Sequence, residues 1–292
     1  MRYQVRHITE YKYDFPASLC HNLIFQTPQR FAYQEVESHD CKIDPEPSSF
    51  VRRKDFFENE FLYFSLHKTH QKLKVTSSCK VALSQPVWMQ ADASATVPWE
   101  VLASELQTPK VLNDIRQYYL ESPYVPVITG VKDYALASFT PHRPIMEAVL
   151  ELNTRINKDF KFTPGFTEIS TPLKEVFKEK KGVCQDFAHF GLSCLRSLGL
   201  AARYMSGYIE TIPAPGQKKM VGADASHAWI AVYIPPLGWV EFDSTNNLLV
   251  SDQHVRVAVG RDFGDVVPMK GIVYSGGGQE MEVKVDVNRL AD

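Results

Sequence analysis

Over most of the first eighty residues, apolar and polar side chains alternate with a period of two. Tyr3, Val5, Thr9, Tyr11 and Tyr13 fall on one parity, while Leu73, Val75, Cys79 and Val81 oppose Lys72, Lys74 and Lys80. Successive side chains of a strand point to opposite faces, so this pattern predicts an antiparallel β region with a covered face. Around Gln85–Pro98 the alternation gives way to Ser, Ala, Gln and Pro, the composition of a connection. The chain therefore divides near residue 90, into a β-rich unit over 1–90 and a second unit over 91–292.

Past that boundary the period lengthens. Helical spacing is weak over Trp99–Gln107 and Lys110–Leu120 and clear over Pro144–Lys158, where Ile145, Val149, Leu152 and Ile156 recur three and four apart. Ser170-Thr171-Pro172 reads as the start of a short helix that Gly182 closes, with another helix following at once. Strands return at Leu200–Glu210, His227–Ile234, Trp239–Asp243, Val255–Val259 and Met281–Val287, with Gly276-Gly277-Gly278 as a turn. The sequence carries no internal repeat and no low-complexity tract.

Composition narrows the function classes. The 292 residues are 44% hydrophobic and 23% charged, enough apolar surface for more than one core and unlike a disordered chain. With 32 basic and 34 acidic side chains the net charge is -2, which supplies no broad positive field, so neither nucleic acid nor an anionic membrane is an expected partner. No stretch reaches the ~18 apolar residues of a membrane span, and the first residues alternate rather than forming a leader's apolar run, so a cytoplasmic location is expected. Five scattered cysteines without CxxC spacing point to neither a disulfide framework nor a zinc site. No calcium-loop motif occurs, and no metal or other cofactor is expected.

One cysteine stands apart by position. Phe187, Ala188, Gly191, Leu192 and Leu195 lie three, four, seven, eight and eleven residues after Cys184, so this thiol heads the buried stripe of an amphipathic helix. Unpaired N–H groups and the positive end of the helix dipole favour a thiolate there and could hold an oxyanion. A nucleophilic thiol also needs a base and a group to orient that base. His227 and Asp243 supply both types near the open ends of two apolar strands that read as a hairpin around Pro235-Pro236-Leu237-Gly238. Direct opposition of the two requires a turn centred on residue 235, whereas Pro235–Gly238 is centred later, so a bulge or wide loop is expected to absorb the offset. The three residues fill complementary roles: Cys184 as nucleophile, His227 as general base and then acid, Asp243 fixing the imidazole tautomer.

The blocks Gly182-Val183-Cys184-Gln185-Asp186-Phe187-Ala188, Leu198–Tyr208, Asp224-Ala225-Ser226-His227-Ala228-Trp229 and Phe242-Asp243-Ser244-Thr245 closely resemble the transglutaminase-like superfamily. More narrowly, they resemble its bacterial members described as cysteine-protease candidates. The similarity is concentrated in residues 145–250; the β-rich start and Arg261–Pro268 also resemble segments of those bacterial proteins. The resemblance implies an α+β fold, a papain-like transglutaminase core preceded by an antiparallel β-rich N-terminal domain. It also implies a Cys-His-Asp triad, carried onto Cys184, His227 and Asp243. The superfamily includes crosslinking acyltransferases, peptidases, amidases and members without catalysis, so substrate is not implied. The expected activity is thiol-dependent acyl transfer on a peptide or protein amide, with hydrolysis ahead of transamidation of glutamine, and a non-catalytic binding module as the third reading.

Other residues attract blander readings. Cys194 faces another side of the helix and reads as structural, His189 lies about 140° from the nucleophile and reads as packed or solvent-facing, and Asp186 reads as a first-turn cap. Trp229 and Trp239 share strand parity with His227 and Asp243 and could wall a cleft or pack in a core. Arg203, Tyr204 and Tyr208 receive no role. His39, Asp40, His67 and His70 read as exposed hairpin residues rather than a metal site.

Overall fold

The computed structural model of the chain describes residues 1–108, 113–211, 222 and 224–291. Six strands open it: β1 (Arg2–Ala17), β2 (Leu19–Ile24), β3 (Gln34–Asp44), β4 (Ser49–Lys54), β5 (Glu60–Leu66) and β6 (His70–Leu83). The helices α1 (Trp99–Leu106), α2 (Asn113–Arg116), α3 (Val131–Leu136) and α4 (Ile145–Asp159) follow, then β7 (Lys161–Phe162), α5 (Leu173–Glu179), β8 (Lys181–Gly182) and α6 (Cys184–Ser197). The chain ends in strands β9 (Ala202–Ile209), β10 (Ser226–Ile234), β11 (Gly238–Asp243), β12 (Leu248–Leu249), β13 (His254–Gly260), β14 (Met269–Tyr274) and β15 (Gln279–Leu290). Of the stretch read as a helix over Lys110–Leu120, α2 and a short turn at Gln117–Tyr119 are helical, and residues 109–112 lie outside the described residues.

The first unit is a sandwich of two four-stranded sheets, ordered β15-β1-β6-β3 and β14-β2-β5-β4. Here the structure corrects the division at residue 90, because β14 and β15 complete this sandwich rather than the second unit. β15 runs along β1 from Arg2↔Leu290 to Tyr13↔Gln279, and β14 runs along β2. An unpaired edge as long as β1 exposes a row of backbone donors and acceptors, and the returning C-terminal strand covers it.

The second unit sets helices against a five-stranded antiparallel sheet, ordered β12-β11-β10-β9-β13. Helix α6 buries Phe187, Phe190, Leu192 and Leu195 against Ile230, Val232 and Phe242 of that sheet. At roughly 1.5–3 kcal/mol for each large apolar side chain fully buried, this stripe anchors the helix and so fixes where its first residue points. The same core continues into Tyr3, Val5, Val81 and Val287 of the sandwich, so the two units share one interior. The alternate parity of the five-stranded sheet carries Trp229, Glu241 and Arg256, and the sandwich closes over it through Tyr33, Gln34 and Asn59.

One stop signal falls two residues earlier than expected. Helix α5 ends at Lys180, which adopts a left-handed φ of 50°. Gly182 serves a different need: a Cβ there would sit 2.4 Å from Oδ2 of Asp186, so only glycine leaves space for that carboxylate.

Candidate active site

Cys184 is the first residue of α6, partly buried at the end of the helix stripe. Asp186 secures that end, its Oδ2 accepting from Val183 N at 2.7 Å and from the Thr167 hydroxyl at 2.6 Å. Burial raises the Asp186 carboxyl, and those two hydrogen bonds oppose the rise. The capping role expected of Asp186 is thus a reach back across the first turn.

The hairpin pairs Ile234 with Gly238 and Ile230 with Phe242 in unbroken register. No bulge absorbs the offset anticipated from the turn. In that register Asp243 falls level with Trp229, and His227 reaches it diagonally from two residues further out, a separation that side chains of this length span. His227 Nε2 donates to Asp243 Oδ2 at 2.7 Å. The Cys184 side chain lies close enough to the imidazole to act on its charge, and with Nε2 committed to Asp243 the nitrogen left to serve the sulfur is Nδ1. The structure thus brings together the three residues singled out in the sequence.

Their electrostatics follow from the surroundings. Burial disfavours a charged His227, but hydrogen bonds to Asp243 and then Cys184 outweigh it and push the imidazole up to about 10. Asp243 is fully buried, which by itself would raise it; its donors hold it well below the usual carboxylate range. Oδ1 accepts from the backbone N–H groups of Thr245 and Asn246 at 3.0 and 3.2 Å. Oδ2 accepts from His227, from His254 Nε2 at 3.0 Å and from Asn246 Nδ2 at 2.7 Å.

Several members of this arrangement went unmarked in the sequence. His254 opens β13, is fully buried, and is lowered by burial, with Arg256 and His227 adding to the effect. Asn153 and Asn157, one turn apart on α4, hold the segment after Asp243: Asn153 exchanges hydrogen bonds with Ser244 Oγ and the Asp243 carbonyl, and Asn157 donates to the carbonyls of Ser244 and Thr245. Paired asparagines next to an apolar helix stripe were the available signal. Beneath His227, Trp229 stacks at 5.9 Å between ring centroids and donates Nε1–H to Glu241 Oε2 at 2.7 Å. Glu241 in turn pairs with Arg256 at 2.9 Å, both fully buried, and accepts from Tyr33 of the sandwich at 2.7 Å. Opposite His227 in β9 stands Gly207, whose Cβ would lie 2.0 Å from the Val255 carbonyl and 2.6 Å from the Trp229 ring.

The other candidates settle as packing. Trp239 carries the Arg203 guanidinium 4.5 Å above its ring, while Tyr204, Tyr208 and Cys194 are buried. Burial raises the Cys194 thiol. His189 is packed, not solvent-facing: Tyr124 stacks on it and Phe263 N donates to its Nε2 at 3.2 Å. His67 is exposed as expected, but His70 is buried, bonding the Lys68 carbonyl, and His39 is half-buried against Ser77. Among the described residues, the group of metal-type donors is instead His227, Asp243 and His254, whose ligand atoms lie within 4.8 Å of one another. In this structure both histidines are hydrogen-bonded to the same oxygen of Asp243.

Comparison with known proteins agrees with this architecture. Residues 3–82 match the bacterial transglutaminase-like N-terminal region, and residues 134–244 match the transglutaminase-like superfamily core. An uncharacterized protein of Mycobacterium tuberculosis is 37% identical over 292 residues, covering 98% of this chain and 92% of its own. One from Mycobacterium leprae is 32% identical over 293 residues, covering 99% of each. A solved structure of a cysteine-protease candidate from Cytophaga hutchinsonii shares the fold, with a TM-score of 0.77 at 20% identity over 100% of this chain and 91% of its own. The chain therefore belongs to the transglutaminase-like superfamily, among the members that carry the bacterial N-terminal region.

Proposed function

We propose that the protein is a thiol-dependent acyltransferase acting on amide bonds, with Cys184 as nucleophile, His227 as acid and base, and Asp243 as the group that orients and charges the imidazole. The observation that carries this reading is an imidazole hydrogen-bonded to a buried carboxylate, with the Cys184 side chain beside it. The Cys184 sulfur attacks the carbonyl carbon of a peptide or protein amide, and the carbonyl oxygen takes the negative charge. The N–H groups of Cys184 and Gln185 precede the first intrahelical bonds of α6, which start at Asp186 and Phe187, and so are free to donate to that oxygen. As the C–N bond breaks, the imidazolium gives its proton to the departing amine, leaving a thioester. Water, deprotonated by His227, then attacks the thioester, releasing the carboxylic acid and returning the proton to the sulfur–imidazole pair.

Hydrolysis is preferred because water is always at hand, and the solved structure from Cytophaga hutchinsonii that shares this fold is described as a cysteine-protease candidate. Labelling with a thiol-reactive probe at near-neutral pH tests the mechanism. Cys184 should react ahead of the other four cysteines, and its labelling should weaken when His227 is replaced by Ala. Uniform slow labelling of all five would overturn the proposal. Incubating a glutamine peptide with and without a primary amine separates the outcomes: ammonia without an amine adduct marks hydrolysis.

A further inference from the structure

Beside the nucleophile lies a cavity of about 530 Å³ that does not include Cys184 itself but begins at the next residue, Gln185. Its walls are mostly apolar, with Pro126, Ile128 and Leu173 among them; Lys174, Ser170 and Thr171 also line it, and α6 contributes Asp186 and His189. Both side chains are largely buried, 6% and 4% exposed, yet each keeps one atom without a partner among the described residues. Oδ2 of Asp186 is occupied by Val183 N and Thr167, while Oδ1 accepts nothing from the described residues and is not enclosed by them. Nε2 of His189 accepts from the Phe263 backbone N–H, so it carries no proton, and the proton of the neutral ring sits on Nδ1. Nδ1 likewise has no partner among the described residues and is not enclosed by them. Burial, then the nearby Arg196, push His189 down to about 3, so this tautomer persists at neutral pH.

Residues three apart on a helix share a face, so α6 offers the cavity an N–H donor and a carboxylate acceptor one turn apart. A ligand that satisfies both must carry an acceptor and a donor on one edge. A primary carboxamide does so, its C=O meeting Nδ1–H and its syn N–H meeting Oδ1. A trans backbone amide directs the two groups oppositely. We propose that this cavity is a recognition subsite for a primary carboxamide, the side chain of a Gln or Asn neighbouring the amide attacked at Cys184. The placement of the peptide rests on the acyl-transfer reading; the carboxamide preference does not. From Cys184 to His189 the helix rises about 7.5 Å, the span of roughly two extended peptide residues. The carboxamide therefore belongs one or two residues from the reacting bond.

The test uses the full chain with Cys184→Ala, so that binding is read without turnover. N-acetyl-glutamine N-methylamide and its glutamate and methionine counterparts are titrated at pH 7 while the His189 ring nitrogens are followed by NMR. The glutamine probe should bind about tenfold more tightly than either counterpart, the worth of two paired hydrogen bonds, and should shift Nδ1. Asp186→Asn turns the acceptor toward the cavity into a donor and should reverse the order, placing the glutamate probe first. Equal binding of all three, a glutamine preference without a His189 shift, or a glutamine preference surviving in Asp186→Asn would each overturn the subsite. The ligand series on the parent chain stands even where Asp186→Asn does not fold. Failure of acyl transfer reads separately, as absent labelling and turnover at Cys184 in the wild-type chain while the carboxamide still binds.

Discussion

His227 and His254 approach Asp243 from two different strands, present the same atom to the same oxygen at 2.7 and 3.0 Å, and titrate in opposite directions. Burial opposes protonation at both, so burial does not distinguish them. The distinction lies on the far side of each ring. The first faces Cys184, whose negative form favours an imidazolium, whereas Nδ1 of His254 is buried without a partner and Arg256 stands nearby. One carboxylate sustains one imidazolium, and a second cation beside the first is repelled. The charge is thereby concentrated on the ring next to the sulfur, and the neutral ring serves as a hydrogen-bond donor that holds the carboxylate in place.

The most direct way to break this comparison is Asp243→Asn, which removes the charge that both rings share. The imidazole of His227 should then fall from about 10 toward or below its ordinary value, read by NMR of the ring nitrogens. Activity should fall about 10⁴-fold, the loss that the analogous change causes in the handed-down Ser-His-Asp arrangement. A loss below about tenfold would place the working carboxylate elsewhere.

Next in size is Glu241→Gln. The Glu241–Arg256 pair lies behind both rings, bonded to Trp229 under His227 and, through Arg256 Nη1, to the carbonyl of His254. Removing one partner leaves a buried guanidinium uncompensated, a loss of about 3 kcal/mol in denaturant unfolding. Tyr33→Phe, which removes only a hydrogen bond from the sandwich, should cost about 1 kcal/mol. If the two variants melted alike, the buried ion pair would contribute no more to stability than the single hydrogen bond from Tyr33.

What the sequence revealed about this arrangement divides along the same line. Cys184, His227 and Asp243 were readable because each sits inside a local pattern: a helix stripe behind the cysteine and two apolar strands meeting at a turn. His254 was not, since nothing within its own strand marks it, and its partner is supplied by the pairing order β11-β10-β9-β13 rather than by nearby residues. Glu241 and Arg256 look like ordinary strand charges until the sandwich closes over them. The same cause explains why the C-terminal strands were assigned to the second unit, because the alternation of Met281–Val287 predicts a strand without naming β1 as its neighbour. Gly182, read as a helix stop, was a packing requirement of Asp186, a side chain four residues later.

Smaller effects follow from His254 itself. His254→Phe removes a donor to Asp243 while leaving the sulfur–imidazole pair in place, so kcat should fall about tenfold, the value of one hydrogen bond to a charged group. His254→Gln restores an N–H of similar reach and should recover most of that loss. A purely structural role predicts instead that both variants lose stability while the pH profile of Cys184 labelling stays unmoved.

The finest test of the comparison is the pH dependence of stability, since the two histidines act on opposite limbs. His227 is raised in the folded state, so its contribution is complete below about 6.5, its unfolded value, and is lost as pH climbs through about 10. His254 is lowered, so the unfolded chain takes up its proton first, and stability is lost as pH falls below about 6.5. Asp243, held low, adds a further loss only below about 3.9, its unfolded value. One proton linked to unfolding changes stability by about 1.4 kcal/mol per pH unit. Urea melts of the wild-type chain and His254→Gln between pH 4.5 and 10.5 should therefore diverge by about 1 kcal/mol on the acid limb and coincide on the alkaline one. Burial also pushes His7 down to about 4 and His189 to about 3, but these act equally in both proteins and cancel in the difference. Divergence on the alkaline limb instead would mean that His254, and not His227, carries the shared charge.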